Sequence, residues 1–218
     1  MSRFAAEEAS PEEIERQAAL YGPLTAAVRD LVDASLRTLV DGSEIEAARE
    51  EIEAITARLR KDQIDGALGV RYSPEGKGRA WGNAVIGLRN AIAPPLTITT
   101  EGHLTSADFH LGASYEGPPG LVHGGVVALL LDQLLGQAAG AGGRPGMTGT
   151  LTVVYRQGTP LGDLRAEAWI DRTEGIKTWA KGRIIGPDGV TAEAEGVFVL
   201  PRWAREMLAD EPKPDYFE

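Results

Sequence analysis

PPGLVHGGVVALLLDQLLGQAAG, from Pro118 to Gly140, is the stretch whose reading decides the fold. Gly and Pro lead into a run that is apolar on nearly every side of a helix, with one acid, Asp132, in its middle. A helix without a polar face has to be covered all round, so in a globular chain it belongs at the centre. A carboxylate among Val127, Leu129, Leu130, Leu131, Leu134 and Leu135 is costly to bury unless it is partnered or protonated. Asp132 therefore marks a functional site, or it sits on a turn of the helix that reaches solvent or caps a neighbour.

The start of the helix bears on that choice. His123, Gly124 and Gly125 are expected to leave the first backbone N–H groups bare, and such a helix N-terminus is a ready site for an anion or oxyanion. Gly124 and Asp132 lie eight residues apart, roughly 12 Å along a helix axis, so one small reacting group cannot touch both on a single helix. A second helix running antiparallel beside the first, as a two-fold dimer supplies, brings the two together. Gly124, Ala128, Asp132, Gly136 and Gly140 recur at every fourth position, a mostly small-residue stripe that permits such an approach. A homodimer with two equivalent composite sites is the expectation.

GPPGLVHGGVVALLLD (Gly117 to Asp132), followed by MTGTLTVVYRQGTPL (Met147 to Leu161), resembles the PaaI-like hotdog-fold acyl-CoA thioesterases. It is similar in particular to the mammalian mitochondrial long-chain members with their EGPPG, HGG and MT signatures. The resemblance covers Pro94 to Leu200, and it is specific. HGG stands with an acid nine residues after the His, a Thr sixteen after the acid, and a Tyr-Arg-x-x-x-Pro-Leu strand. It implies that the acid of the central helix is base or nucleophile, that the N–H after the HGG His polarises the thioester carbonyl, and that a Thr on the next strand steadies the attacking water. Those roles fall on Asp132, Gly124 and Thr148. His123 is implied as structural or a substrate contact, with imidazole catalysis the weaker possibility. Some relatives carry an Asn six residues before the HGG His, where this chain has Gly117.

A chain of 218 residues without cysteine can bury a sizeable core and has neither a disulfide framework nor a thiol nucleophile or thiolate metal site. Its net charge of −10 argues against nucleic acid as a partner, which calls for a basic face. The acidic N-terminus does not read as a signal peptide, and no run reaches the length of a membrane span. A cytoplasmic protein is the expectation.

Residues 1–61 are helical in pattern. Ser10, Pro11 and Glu13 make a capping-box start, and Pro23 is expected to restart or kink the helix. Leu24, Ala27, Val28, Leu31, Val32, Leu36, Leu39 and Val40 recur at helical spacing up to Gly42, read as a C-terminal cap. Ser43 opens a second helix with Ile45, Ala48, Ile52, Ile55 and Leu59 on one face. Together they are expected to form a hairpin that covers part of the main domain, or else an oligomerisation arm or a lid. Residues 62–94 form a Gly- and Pro-rich connection. Its Gly76 to Gly78 lacks the P-loop frame, and its Arg79 and Trp81 either pin a loop or form a flap over acyl-CoA.

From Pro95 the pattern changes to strands, with turn signals at Gly162, Glu174-Gly175 and Pro187-Asp188-Gly189. An antiparallel meander is expected. Ala166, Ala168, Ala180, Gly182, Ala192, Ala194 and Gly196 share one parity of the last three strands, and Arg165, Glu167, Lys177, Lys181, Arg183, Glu193 and Glu195 take the other. A face of small residues leaves a hollow that a long apolar helix fills. The fold class is thus α+β, a hotdog fold in which a curved antiparallel sheet wraps a central apolar helix, with the helical segment preceding it. The hotdog domain spans 95–202, and 203–218 is a C-terminal tail.

The expected reaction is hydrolysis of an acyl-CoA thioester, with no cofactor beyond the coenzyme A that the substrate carries and no metal. Arg156 and Lys177 are candidates for the phosphates of coenzyme A, together with the backbone at Gly125. The expected assembly is a homodimer or a dimer of dimers, a homotetramer, and the sequence does not choose between them. His103 and His110 have no metal-site spacing, and Ser106 and Ser114 lack a nucleophile elbow. Two rivals stand beside hydrolysis. A hotdog hydratase would carry Asp and His a few residues apart, which this frame does not offer. A non-catalytic acyl-CoA-binding protein has the N-terminal helices as its only hint.

Overall fold

The computed structural model describes residues 4–6, 9–72, 78–94, 96–141, 143, 146–202 and 205. The expected tail at 203–218, apart from Arg205, and Gly76 and Lys77 lie outside the described residues. The chain divides into two compact units, Met1–Pro94 and Pro95–Glu218.

In the first unit a short strand β1 (Phe4–Ala6) precedes helices α1 (Pro11–Arg37) and α2 (Gly42–Leu59) and strands β2 (Val70–Tyr72) and β3 (Gly78–Arg79). The strands form a small sheet in the order β1-β2-β3. Ser10 caps α1 by accepting the Glu13 N–H at 3.2 Å. Pro23 lies inside α1 and does not restart it; the turns on either side carry the helix past its missing donor. Gly42 is not a cap of α1 either. That helix ends at Thr38, in an extended conformation, and Gly42 is the first residue of α2 because the Asp41 carboxylate caps the Glu44 N–H. The expected hairpin does not close, since α2 buries none of its residues.

The segment after β3 folds into successive turns. Asn83 Oδ1 accepts the N–H groups of Val85 and Ile86, and the Arg79 guanidinium stacks 3.9 Å from the Trp81 ring centroid. Arg29 of α1 donates to the carbonyls of Ala93 and Asn90, and Arg89 lies over the Tyr21 ring.

The second unit holds β4 (Thr99–Glu101), β5 (Leu104–Leu111), a short 3-10 turn (Ala113–Tyr115), helix α3 (Gly124–Ala141), β6 (Met147–Tyr155), β7 (Gly162–Glu174), β8 (Lys177–Gly186) and β9 (Gly189–Val199). The strands make one antiparallel sheet, ordered β4-β5-β7-β8-β9-β6. Only β7, β8 and β9 follow as a meander. β6 does not pair with its successor β7; it crosses to the far edge beside β9, because α3 has to be laid over the sheet between β5 and β6.

The hollow forms where the alanines and glycines lie. Ala166, Ala168, Ala180, Ala192 and Ala194 are buried, and α3 packs on β5 through β9. A Cβ on Gly182 would stand 2.5 Å from Leu135 Cδ1 of α3, and one on Gly196 would stand 2.6 Å from the Phe198 ring. Val127, Leu130, Leu131, Leu134, Leu135, Ala138 and Ala139 form the buried side of α3. By length and composition α3 is also apolar enough to cross a membrane, contrary to the expectation that no run is; its buried side belongs to the core of this sheet.

The other side of α3 is not covered. Gly125, Leu129 and Gln137 are exposed, and Asp132 is half-buried beside them. The helix at the centre of the fold thus has an open face within one chain. This is the hotdog architecture, a curved antiparallel sheet on a central helix in an α+β chain with helices ahead of it.

Candidate functional site

The loop before α3 is a compact turn. Gly120 adopts φ 75°, in the left-handed region that favours glycine, and its N–H donates to Glu116 Oε1 at 2.7 Å. The N–H groups of Gly117, Leu121, Val122 and His123 donate to the carbonyls of Leu121, Pro118, Thr159 and Tyr115. His123 is therefore fixed before the helix begins.

Gly117 belongs to that fixture. A Cβ there would lie 2.7 Å from His123 Cα, so the position has no room for the Asn that some relatives carry. Gly117→Asn is expected to displace His123 and lower the stability of the chain by about 1–3 kcal/mol, the scale of overpacking. Thermal denaturation checks this; an unchanged midpoint would contradict the crowding.

The helix start is less bare than its sequence suggests. His123 Nδ1 accepts the Gly125 N–H at 2.9 Å, and the His123 carbonyl accepts the N–H groups of Val126 and Val127. His123 thus acts as a helix cap, with its Nδ1 engaged by a backbone N–H. The Gly125 N–H, expected to face coenzyme A, is engaged by that bond. Among the described residues the Gly124 N–H is left without an acceptor.

Eight residues along, the Thr148 hydroxyl donates to Asp132 Oδ1 at 2.9 Å. A bulge makes this possible. Thr148 pairs with Phe198 and Thr150 with Val197, leaving Gly149 out of register. One extra residue reverses the parity of the strand. Thr148 thus joins the helix-facing side with Leu151, Val153 and Tyr155, while Thr150 and Thr152 face away. The acid is half-buried and partnered, which resolves the cost expected of it in an apolar helix.

Tyr155 is the residue that sequence spacing did not single out. Its hydroxyl donates to the Gly124 carbonyl at 2.7 Å, and its ring lies 3.5 Å from where a Gly124 Cβ would be. A tyrosine seven residues after Thr148 on the same strand was the available signal, hidden by the bulge. β6 thereby ties both ends of the site to α3, through Tyr155 at Gly124 and Thr148 at Asp132.

The small-residue stripe is corrected in part. A Cβ on Gly136 would stand 3.3 Å from the Phe198 ring of its own sheet and one on Gly124 would meet Tyr155, so these two glycines make room for the chain itself; of the three glycines in the stripe only Gly140 opens on nothing.

The cation candidates do not come together. Arg156 Nε donates to Glu193 at 2.6 Å. Lys177 pairs with Val199, which pairs with Met147 at the opposite end of β6, so the two lie roughly 26 Å apart at about 3.3 Å per strand residue. One coenzyme A cannot be held by both within a single chain in the way expected. The neighbouring cations are engaged as well. Hydrogen bonds from Arg165 and then Arg183 hold the Glu167 carboxyl below the usual carboxylate range, and Lys181, followed by Arg172, does the same for Asp171. Arg172 also covers the Trp179 ring. This outer face is a solvated lattice of ion pairs.

No family model matches the chain. The acyl-coenzyme A thioesterase THEM4 of Xenopus laevis is 34% identical over 96 residues, 42% of this chain and 42% of its own length. The chain thus spans less than half of that curated relative. A solved thioesterase superfamily protein is 36% identical and superposes with a TM-score of 0.75, covering 82% of this chain and 90% of its own. With a likeness of that identity running through nearly the whole of a solved member, the chain belongs to the thioesterase superfamily.

Proposed function

We propose that this protein hydrolyses acyl-CoA thioesters at a composite site shared by two copies of the chain. The observation that carries the reading is the Thr148–Asp132 hydrogen bond on the open face of α3. A carboxylate oriented by a hydroxyl and half-buried on the open face of an apolar helix is suited to a water or a thioester carbonyl. Gly124 lies on the same helix about 12 Å away, so the carbonyl that meets its N–H meets Asp132 of a second copy. β6 supports the pairing: it is a nine-residue edge strand with exposed Thr150, Thr152 and Val154, the kind of edge that invites a partner strand.

In the hydrolytic step the Gly124 N–H and the helix dipole stabilise the negative charge that develops on the thioester oxygen. Asp132 takes a proton from water as the oxygen attacks the carbonyl carbon; collapse of the tetrahedral intermediate breaks the C–S bond and the proton passes to the departing thiolate. In the covalent variant the Asp132 carboxylate itself attacks, coenzyme A leaves, and water opens the mixed anhydride. Thr148 positions the acid in either case.

The test is release of free thiol from short, long and aromatic acyl-CoAs, with long chains first because of the resemblance in the Gly117–Leu161 stretch. Turnover supports the reading. Tight binding of acyl-CoA without release from any of the panel overturns it in favour of a binding protein, and hydration of an enoyl-CoA in its place overturns it in favour of a hydratase. Thr148→Val, which keeps the shape and removes the hydroxyl, is expected to lower kcat by about ten- to a hundredfold, the worth of one hydrogen bond to a charged group. A kcat within twofold of wild type would remove Thr148 from the site.

A further inference from the structure

The N-terminal helices turn the wrong side outward. α1 holds Tyr21, the buried Thr25 and Arg29 against the turns of its own unit, while Leu20, Leu24, Val28, Leu31, Val32 and Leu36 face solvent. In α2 the exposed side carries Ile45, Ile52, Ile55 and Leu59. A soluble helix ordinarily has the reverse arrangement. An isolated helix the length of α2 is marginal in water, so its apolar side calls for a cover.

We propose that this cover is a second copy of the chain, with the N-terminal helices of two copies docked on each other and α2 running antiparallel to α2 across a two-fold axis. Three observations select that occupant. Ile45, Ala48, Ile52, Ile55 and Leu59 recur at alternating steps of three and four, the seam of a helix that packs on another helix. Charge is segregated along α2 and just beyond it: Glu44, Glu46, Glu50, Glu51 and Glu53, with Arg49, come first, and Arg58, Arg60 and Lys61 come last. A parallel pair would set the acidic halves side by side, whereas an antiparallel pair sets each acidic half against a basic end. The area is also sufficient. Covering the exposed apolar side chains of both helices removes roughly 800 Å² per copy from water, about what a stable interface buries on each partner.

The axis falls between Ile52 and Ile55. Ile52 then packs on Ile55 of the second copy, Ala48 on its Leu59, and Glu51 lies beside its Arg58. This contact involves neither α3 nor β6, so it does not depend on the thioesterase reading. Together with a composite-site pairing through α3 it would build a dimer of dimers.

Sedimentation equilibrium of the full chain tests it, with Ile52→Glu, Glu51→Arg, Arg58→Glu and the Glu51→Arg/Arg58→Glu double variant beside wild type. Ile52 is exposed in the single chain, so its replacement leaves the fold intact, checked by circular dichroism. Ile52→Glu is expected to raise the dissociation constant of this contact at least about a hundredfold and to halve the mass at micromolar concentration. Each single charge reversal should weaken it about tenfold, and the double variant should return to within about threefold of wild type. Wild-type mass in Ile52→Glu, or a monomeric wild type, overturns the proposal. Loss in the single reversals without recovery in the double overturns the antiparallel register. Protection of α2 amides from hydrogen exchange in a monomeric variant also overturns it, since α2 would then be covered by its own chain.

Discussion

Asp132→Asn is expected to lower thiol release from acyl-CoA by at least about a hundredfold, the scale of losing a general base, with a far-UV spectrum and thermal midpoint close to wild type. The substitution is nearly isosteric, and the amide oxygen of Asn can still accept the Thr148 hydroxyl that now donates to Oδ1 at 2.9 Å. Asp132 is half-buried, so neutralising it neither leaves an unpaired charge nor removes a large desolvation penalty. What is lost is basicity and nucleophilicity at one atom. The fall should appear in kcat, with KM little changed, because Gly124 and the rest of the helix face are intact. Equal activity in wild type and variant would end the assignment of Asp132 under either chemical route. Single turnover in isotopically labelled water reads out the covalent route: label found in the Asp132 carboxylate after turnover means that Asp132 attacked and that water opened the mixed anhydride at its side-chain carbonyl.

The sheet and its helix were legible in the sequence because two independent signals agreed. Alanine and glycine at alternate positions from Ala166 to Gly196 marked a hollow face, and Val126 to Leu135 supplied a helix to fill it. The placement of β6 was not legible, since neighbouring strands in sequence usually pair and only α3 forces the crossing to β9. At the site, Asp132 and Thr148 stood out by residue type and by family resemblance. Tyr155 did not, because the bulge at Gly149 shifts which residues share a face. At His123 and Gly125 a ring nitrogen caps a backbone N–H two residues on, a local bond that spacing alone does not announce, though it accords with the structural role that the resemblance implied for His123. Arg156 and Lys177 were grouped by charge, and the register shows that they occupy opposite ends of the sheet. In the N-terminal helices the apolar periodicity was plain, yet periodicity says only that a face needs cover. The buried polar side of α1 shows that its own unit does not provide that cover.

Gly182→Ala should lower the stability of the protein by about 3 kcal/mol, the upper end of overpacking costs, and the thermal midpoint by roughly 6–12 °C for a chain of this size. The added methyl would lie 2.5 Å from Leu135 Cδ1 and 2.7 Å from the Glu167 carbonyl oxygen. Leu135 is fully buried on α3, and the carbonyl is backbone of β7, held in the ladder opposite Arg183. A side chain can turn away from a new methyl, but a paired backbone cannot without opening the strand. The remaining way out is for α3 to lift from the sheet, and that would carry Asp132 away from Thr148. Activity should therefore fall along with stability, at temperatures where the variant is still folded. Leu135→Ala alone should cost about 2–5 kcal/mol as a cavity, yet combined with Gly182→Ala it should cost less than the two separately, with a coupling of about 1–2 kcal/mol. Additive losses would mean that the methyl strains the β7–β8 ladder without touching α3, and the link from the glycine face of the sheet to the position of Asp132 would fail with it.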